Sequence, residues 1–263
     1  MTYKFRISLF PSHDHKGRVL EWVKTSKDAD ELGRALDAMR NGFIDDLPKA
    51  AKVNHKGDAG NSDILNLYVI SDYHLGMMAW GEETGADWDL QIAEKTIIAW
   101  FEQAIKLSPD SETAVFCNLA DFLHWDGMEA VTPANKHVLD ADSRFQKLVR
   151  VCVRIFRKVI SMLLDKHQHV HMIHAGGNHD PASTVWLREM FAAYYDEEPR
   201  VTVDVNPDLY CCYEFGKTSL FFHHGHKRKV GNIETVFAAK FRDIFGRTEH
   251  SYAHMGHLHS DGS

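Results

Sequence analysis

Residues 65–76 read LNLYVISDYHLG: an apolar, β-rich run over 65–70 that stops at Ser71-Asp72 and is followed at once by His74. Four to eight apolar residues rich in branched side chains, ending at small and acidic residues, predict a buried strand that delivers Asp72 to the loop at its end. The same construction recurs twice. A strand predicted over 113–118 runs into Ala120-Asp121, and one over 169–174 opens into Gly176-Gly177-Asn178-His179-Asp180. Between them, residues 89–107 place Ile92, Ile97, Trp100, Phe101 and Ile105 on a helical stripe, residues 144–164 form a long amphipathic pattern, and Pro181 stands where a further helix starts. Strands are also expected over 201–205, 209–215, 219–223 and 251–255, with one helix over 232–245. Alternating strands and helices predict a layered α/β domain, in which ligands gather where strand ends meet loops.

Residues 1–62 read differently, with a strand over 3–10, a helix over 29–39 and a loop over 54–62. They are taken as an N-terminal extension preceding one catalytic domain over 63–263. No run approaches the roughly 20 apolar residues of a membrane span, and the N-terminus lacks a secretory pattern, so a cytoplasmic protein without membrane contact is expected. The cysteines Cys117, Cys152, Cys211 and Cys212 lack C-x-x-C spacing, and the adjacent pair on a strand should face opposite sides, which predicts reduced thiols. A net charge of −7 argues against a broadly basic surface and leaves nucleic acid only a local basic patch.

Several of the eighteen histidines fall at the ends of apolar runs. Asp72 and His74, Asp121, Asn178 and His179, His224, and His257 and His259 form five clusters in chain order, all at strand ends. Carboxylates, imidazoles and an amide oxygen suit borderline divalent ions such as Mn²⁺, Fe²⁺ or Zn²⁺, and the absence of cysteine ligands argues against structural zinc. A carboxylate shared by two ions would hold them about 3.5–4 Å apart, close enough to share a hydroxide.

In this order the clusters resemble the calcineurin-like metallophosphoesterase superfamily over residues 65–259. The resemblance implies a layered α/β/β/α sandwich and two divalent ions, most naturally Mn²⁺. One ion would be held by Asp72, His74 and His259 and the other by Asn178, His224 and His257, with Asp121 bridging them and His179 as catalytic histidine. SDYHLG, the D-x-x-H spacing of Asp121 and His124, GNHD-P-A and GHLH are similar to the DNA double-strand-break repair nucleases, including the bacterial SbcD type. That makes His124 a second catalytic candidate and DNA the expected substrate. Two departures stand out: Ala120 replaces the glycine usual before the bridging aspartate, and the chain ends four residues after His259, short of the DNA-capping region of repair nucleases.

Each cluster has a plainer reading. A lone D-x-H is commonly a turn with a solvated carboxylate, GGNHD a glycine turn, and GHLH two exposed histidines. His223 and His226 compete with His224, and His226 is kept as a phosphate contact. His167, His169, His171, His174, His250 and His254 are expected to decorate strands. Lys227, Arg228 and Lys229 are either a solvated loop or a grip on a nucleic-acid backbone. Trp125 is either a packing residue or a base-stacking platform.

The expectation is a two-metal phosphodiesterase acting on DNA. The alternatives are a phosphatase or pyrophosphatase for a small nucleotide or lipid-linked headgroup, and an interaction module with a degraded site. A homodimer and a partner ATPase are both compatible with the sequence.

Overall fold

The computed structural model describes residues 60–258 together with residues 6–7, 12–13, 19–20 and 23–24. The chain divides into two compact units, Met1–Pro48 and Lys49–Ser263. In the first, β1 (Arg6–Ile7) pairs antiparallel with β4 (Val23–Lys24), and β2 (Ser12–His13) with β3 (Val19–Leu20). The helix expected over 29–39 lies outside the described residues.

The second unit is mixed α/β. Its larger sheet is parallel, in the order β5 (Asn61–Ile70), β6 (Ser111–Asn118), β7 (His169–His174) and β8 (Val201–Val203). Ile70, Asn118 and His174 stand in register, so three strands stop at one edge. The crossovers are α1 (Leu90–Leu107), α2 (Phe145–Lys166) and α3 (Pro181–Tyr194). The side chain of Asp89 caps α1 by accepting the Ile92 N–H at 2.6 Å. Leu148, Val151, Cys152, Ile155, Phe156, Val159, Ile160 and Leu163 form the buried stripe of α2 at helical spacing.

Along β6, Ala114 and Phe116 face the core shared with these helices, while Val115 and Cys117 face a second core shared with Cys211, Leu220 and Phe222 of the smaller sheet. That sheet holds β9 (Cys211–Phe215) and β10 (Thr218–His223) as an antiparallel pair, with β11 (His250–Met255) parallel to β10. Its far side carries Phe221 and Cys212 against Ile233 and Phe237 of α4 (Ile233–Lys240), which is followed by α5 (Arg242–Arg247). Cys211 and Cys212 thus face opposite cores, and all four cysteines are free. Among the described residues no helix is long and apolar enough to cross a membrane.

Two expectations are corrected. Trp100 is 47% exposed; the buried stripe of α1 is Leu90, Ala93, Ile97 and Phe101, and Trp100, one residue from Phe101, falls off it with its ring edge-on to Phe101. The helix expected over 232–245 breaks at Phe241, whose non-helical backbone sets both its own ring and that of Phe245 against Phe221.

Candidate metal centre

Beyond their last paired residues, β5 and β6 keep exchanging backbone hydrogen bonds. Asp72 donates to Ala120 at 3.1 Å, His74 to Asp121 at 3.0 Å and Leu75 to Phe122 at 2.7 Å. This extended ladder brings two clusters far apart in sequence side by side. It does so in a backbone that most residues avoid. Asp72, His74, Ala120, Asp121 and His257 all have positive φ, between 49° and 74°. Asp and His visit this region more readily than bulkier residues, but each such residue costs on the order of 1–3 kcal/mol unless its surroundings enforce it.

Those surroundings are the other clusters. Asp121 Oδ1 accepts the backbone N–H groups of Asn178 at 2.9 Å and His179 at 2.8 Å, and Oδ2 lies 2.8 Å from His224 Nε2. His224 Nδ1 donates to the Leu119 carbonyl at 2.9 Å, leaving Nε2 near Asp121, Asn178 Oδ1 (3.2 Å) and Asp72 Oδ1 (3.8 Å). Asp72 Oδ2 accepts from the Ser71 hydroxyl and from the His257 N–H at 2.8 Å. Two glycines permit these approaches: a Cβ on Gly177 would sit 2.2 Å from Asp121 Oδ1, and one on Gly256 would sit 2.5 Å from Asp72 Oδ2.

Among the described residues three donor groups result, each with ligand atoms within 4.8 Å of one another: Asp72, His74 and Asp121; Asp121, His224 and His257; and His74, His124 and His179. Burial works against an ionised Asp121, but the hydrogen bond and charge of His224 and the His179 backbone outweigh it and hold the carboxyl down at about 2. For His224, burial is likewise outweighed by Asp121, and its pKa rises. Burial, reinforced by His74 and His179, pushes His124 down to about 4. A carboxylate held ionised at neutral pH and shared by two groups, with imidazole nitrogens around it, fits divalent cations.

A second layer of carboxylates clasps the two central loops together. Asp180, fully buried, accepts the N–H groups of Asp121 at 3.0 Å and Leu123 at 3.1 Å. In return Asp126 accepts at the start of α3, from the N–H groups of Ala182 and, at 2.8 Å, Ser183, and from the Ser183 hydroxyl. His179 Nδ1 adds a bond of 2.9 Å to the His124 carbonyl. Burial, then the nearby charge of Asp121, lifts the Asp180 carboxyl to about 7.

Asp72, His74, Asp121, His124, Asn178, His179, His224 and His257 therefore lie together around these groups, whereas His259 lies outside the described residues. His226 stacks on His223 at 5.6 Å, with its ring 5.5 Å from that of His224. His223 turns away to stack on Tyr210 at 4.3 Å. Lys227, Arg228 and Lys229 are exposed. Trp125 is 1% exposed, so it is a packing residue and its base-stacking reading is withdrawn. Of the remaining histidines, His167 is buried against Tyr68 and Ser111, and His174 against Phe191. Asp126 and Asp180 were missed as supports. The only signal was their place beside His124 and His179, since their partners lie more than fifty residues away.

Compared with known proteins, the chain matches no family model and no curated protein.

Proposed function

We propose that this chain is a two-metal phosphodiesterase of the calcineurin-like kind, acting on DNA with Mn²⁺ as the natural ion and Fe²⁺ or Zn²⁺ as substitutes. The carrying observation is Asp121, a buried carboxylate that belongs to two donor groups at once and lies just past the end of one of three strands in register. Bound ions would supply Lewis acidity toward phosphoryl oxygens and a nucleophile at neutral pH.

Asp72 and His74 would hold one ion, with His259 as a further ligand; Asn178, His224 and His257 would hold the other. His179 donates its Nδ1 proton to the His124 carbonyl, so it would serve the leaving oxygen through Nε2, which must first take up a proton from the attacking water to deliver one there. His124, kept neutral at pH 7 by its burial, would assist through a hydrogen bond near the leaving oxygen rather than by taking up a proton. His226 and the exposed run Lys227, Arg228 and Lys229 would contact phosphates.

The test is Mn²⁺-dependent cleavage of single- and double-stranded DNA and of bis- against mono-nitrophenyl phosphate. Asp121→Asn should lower diester turnover by roughly 100-fold or more, because it weakens both positions at once. Monoester turnover without any diester or DNA cleavage would sink the nuclease reading.

That outcome would favour a phosphatase for a small nucleotide or lipid-linked phosphate. One observation supports it: a 310 Å³ cavity lined by Asp126, Met128, Glu129, Val131, Pro133 and Lys136 opens two residues past His124. A cytoplasmic location belongs to this same proposal.

A further inference from the structure

The third donor group, His74, His124 and His179, contains no carboxylate. Its rings form a compact triangle. His74 stands edge-on to both partners, at 84° and 5.3 Å from His124 and at 82° and 4.7 Å from His179, while His124 and His179 lie parallel at 5.9 Å. His124 Nδ1 and His74 Nδ1 are 3.3 Å apart. At most one proton can lie between them, because two N–H groups would point at one another. Ligands about 2.0–2.1 Å from a tetrahedral Zn²⁺ stand about 3.3–3.4 Å from each other, so this pair is already spaced as two such ligands would be, and all three donor atoms lie within 4.8 Å of one another.

The orientation of His179 agrees. Its Nδ1 bonds to the His124 carbonyl at 2.9 Å, and since a carbonyl only accepts, Nδ1 carries the proton and Nε2 has the lone pair. A ring N–H donated to a backbone carbonyl is the usual support of a metal-ligating histidine. His74 and His124 are 9% and 8% exposed, so the donors sit below the surface yet reachable by a small ion.

We propose that His74, His124 and His179 form an alternative, all-imidazole cation position that shares His74 with the Asp72 and Asp121 group and competes with it, selective for Zn²⁺ or Co²⁺ over Mn²⁺, with its fourth coordination place open. Nitrogen-only donors favour the later, more polarisable ions, whereas the carboxylate groups around Asp121 also accept Mn²⁺. Three protein ligands with one open place are the pattern of reactive rather than structural zinc sites. An ion there would take up the lone pairs of His124 and His179, so Zn²⁺ added to the Mn²⁺-loaded protein should inhibit it.

The test is Co²⁺ titration of the metal-stripped full chain, followed by visible spectroscopy, with Zn²⁺ content measured in parallel. The expected result is the intense band of tetrahedral Co²⁺, lost in both His124→Asn and His179→Asn with Zn²⁺ affinity down by roughly 100-fold or more, and retained in His257→Asn. Circular dichroism checks that each variant is folded. A wild-type titration without that band, or a band that survives His124→Asn in a folded protein, overturns the proposal. The paired-position reading fails separately, by absence of Mn²⁺ uptake sensitive to Asp121→Asn, so the two results can disagree.

Discussion

Asp180 holds Asp121 by its backbone: the buried Asp180 carboxylate accepts the Asp121 N–H at 3.0 Å, and the Leu123 N–H two residues on at 3.1 Å. The residue at the centre of the site is thus kept in its left-handed conformation, φ 49°, by a carboxylate contributed from the next loop. The cost of a second acid so close to the first is visible in its proton affinity.

Because the folded pKa of Asp180 is raised to about 7, the folded state binds its proton more tightly than the unfolded chain does. Its stabilising contribution is therefore full below the ordinary carboxyl value and is lost as pH rises toward and through about 7. Metal-stripped protein should lose urea resistance between about pH 4 and about pH 7 and level off above that, and Asp180→Asn should flatten that part of the profile. The variant, which leaves one N–H poorly accepted, should also be about 1–3 kcal/mol less stable at low pH. An unchanged pH profile would place the proton elsewhere.

Gly177→Ala tests the close approach of backbone to Asp121. The new Cβ would fall 2.2 Å from Asp121 Oδ1, so the carboxylate must leave its two N–H donors or the loop must move. Divalent-ion uptake should fall by about 10-fold or more, with about 1–3 kcal/mol of stability lost. Gly127→Ala, whose Cβ meets nothing within 4 Å, should leave both unchanged, as isothermal titration and thermal melting would show.

Ala120 has φ 74°, where glycine is at ease and a side chain is not. Ala120→Gly relieves about 1–2 kcal/mol of left-handed strain but removes a buried methyl worth about 0.8 kcal/mol and loosens the unfolded chain. The melting temperature should hardly change. Ala120→Val, β-branched and fully buried, should lose on the order of 3 kcal/mol or more in a denaturant titration.

Lys227, Arg228 and Lys229 follow the His224 cluster and are exposed, so their replacement by alanine should leave folding and ion uptake intact. If they grip a nucleic-acid backbone, the slope of log affinity against log salt should drop by about 0.9 per contacted phosphate. An unaltered salt slope for DNA binding would leave them a solvated loop.

The expected site residues are legible for a local reason. A run of apolar residues that ends abruptly in Asp or His marks both a strand and what it carries, as in residues 65–74, 113–121 and 169–179. Trp100 shows where that reading weakens: helical spacing gives an approximate face, and tertiary packing chose Phe101 and left its neighbour outside. Trp125 beside His124 could be read two ways until the packing around it was known.

What the sequence determined by itself is therefore the alternation of strands and helices and the order of the five ligand clusters, because both are written in short-range periodicity. Only the tertiary structure decided that Asp126 and Asp180 clasp each other's loops and that three imidazoles meet at His74, and it set the distances by which Asp121, a bridge in the motif resemblance, joins two donor groups. Each of those relations joins residues about fifty or more positions apart, and their distances are set by strand register and by backbone strain that no local pattern encodes.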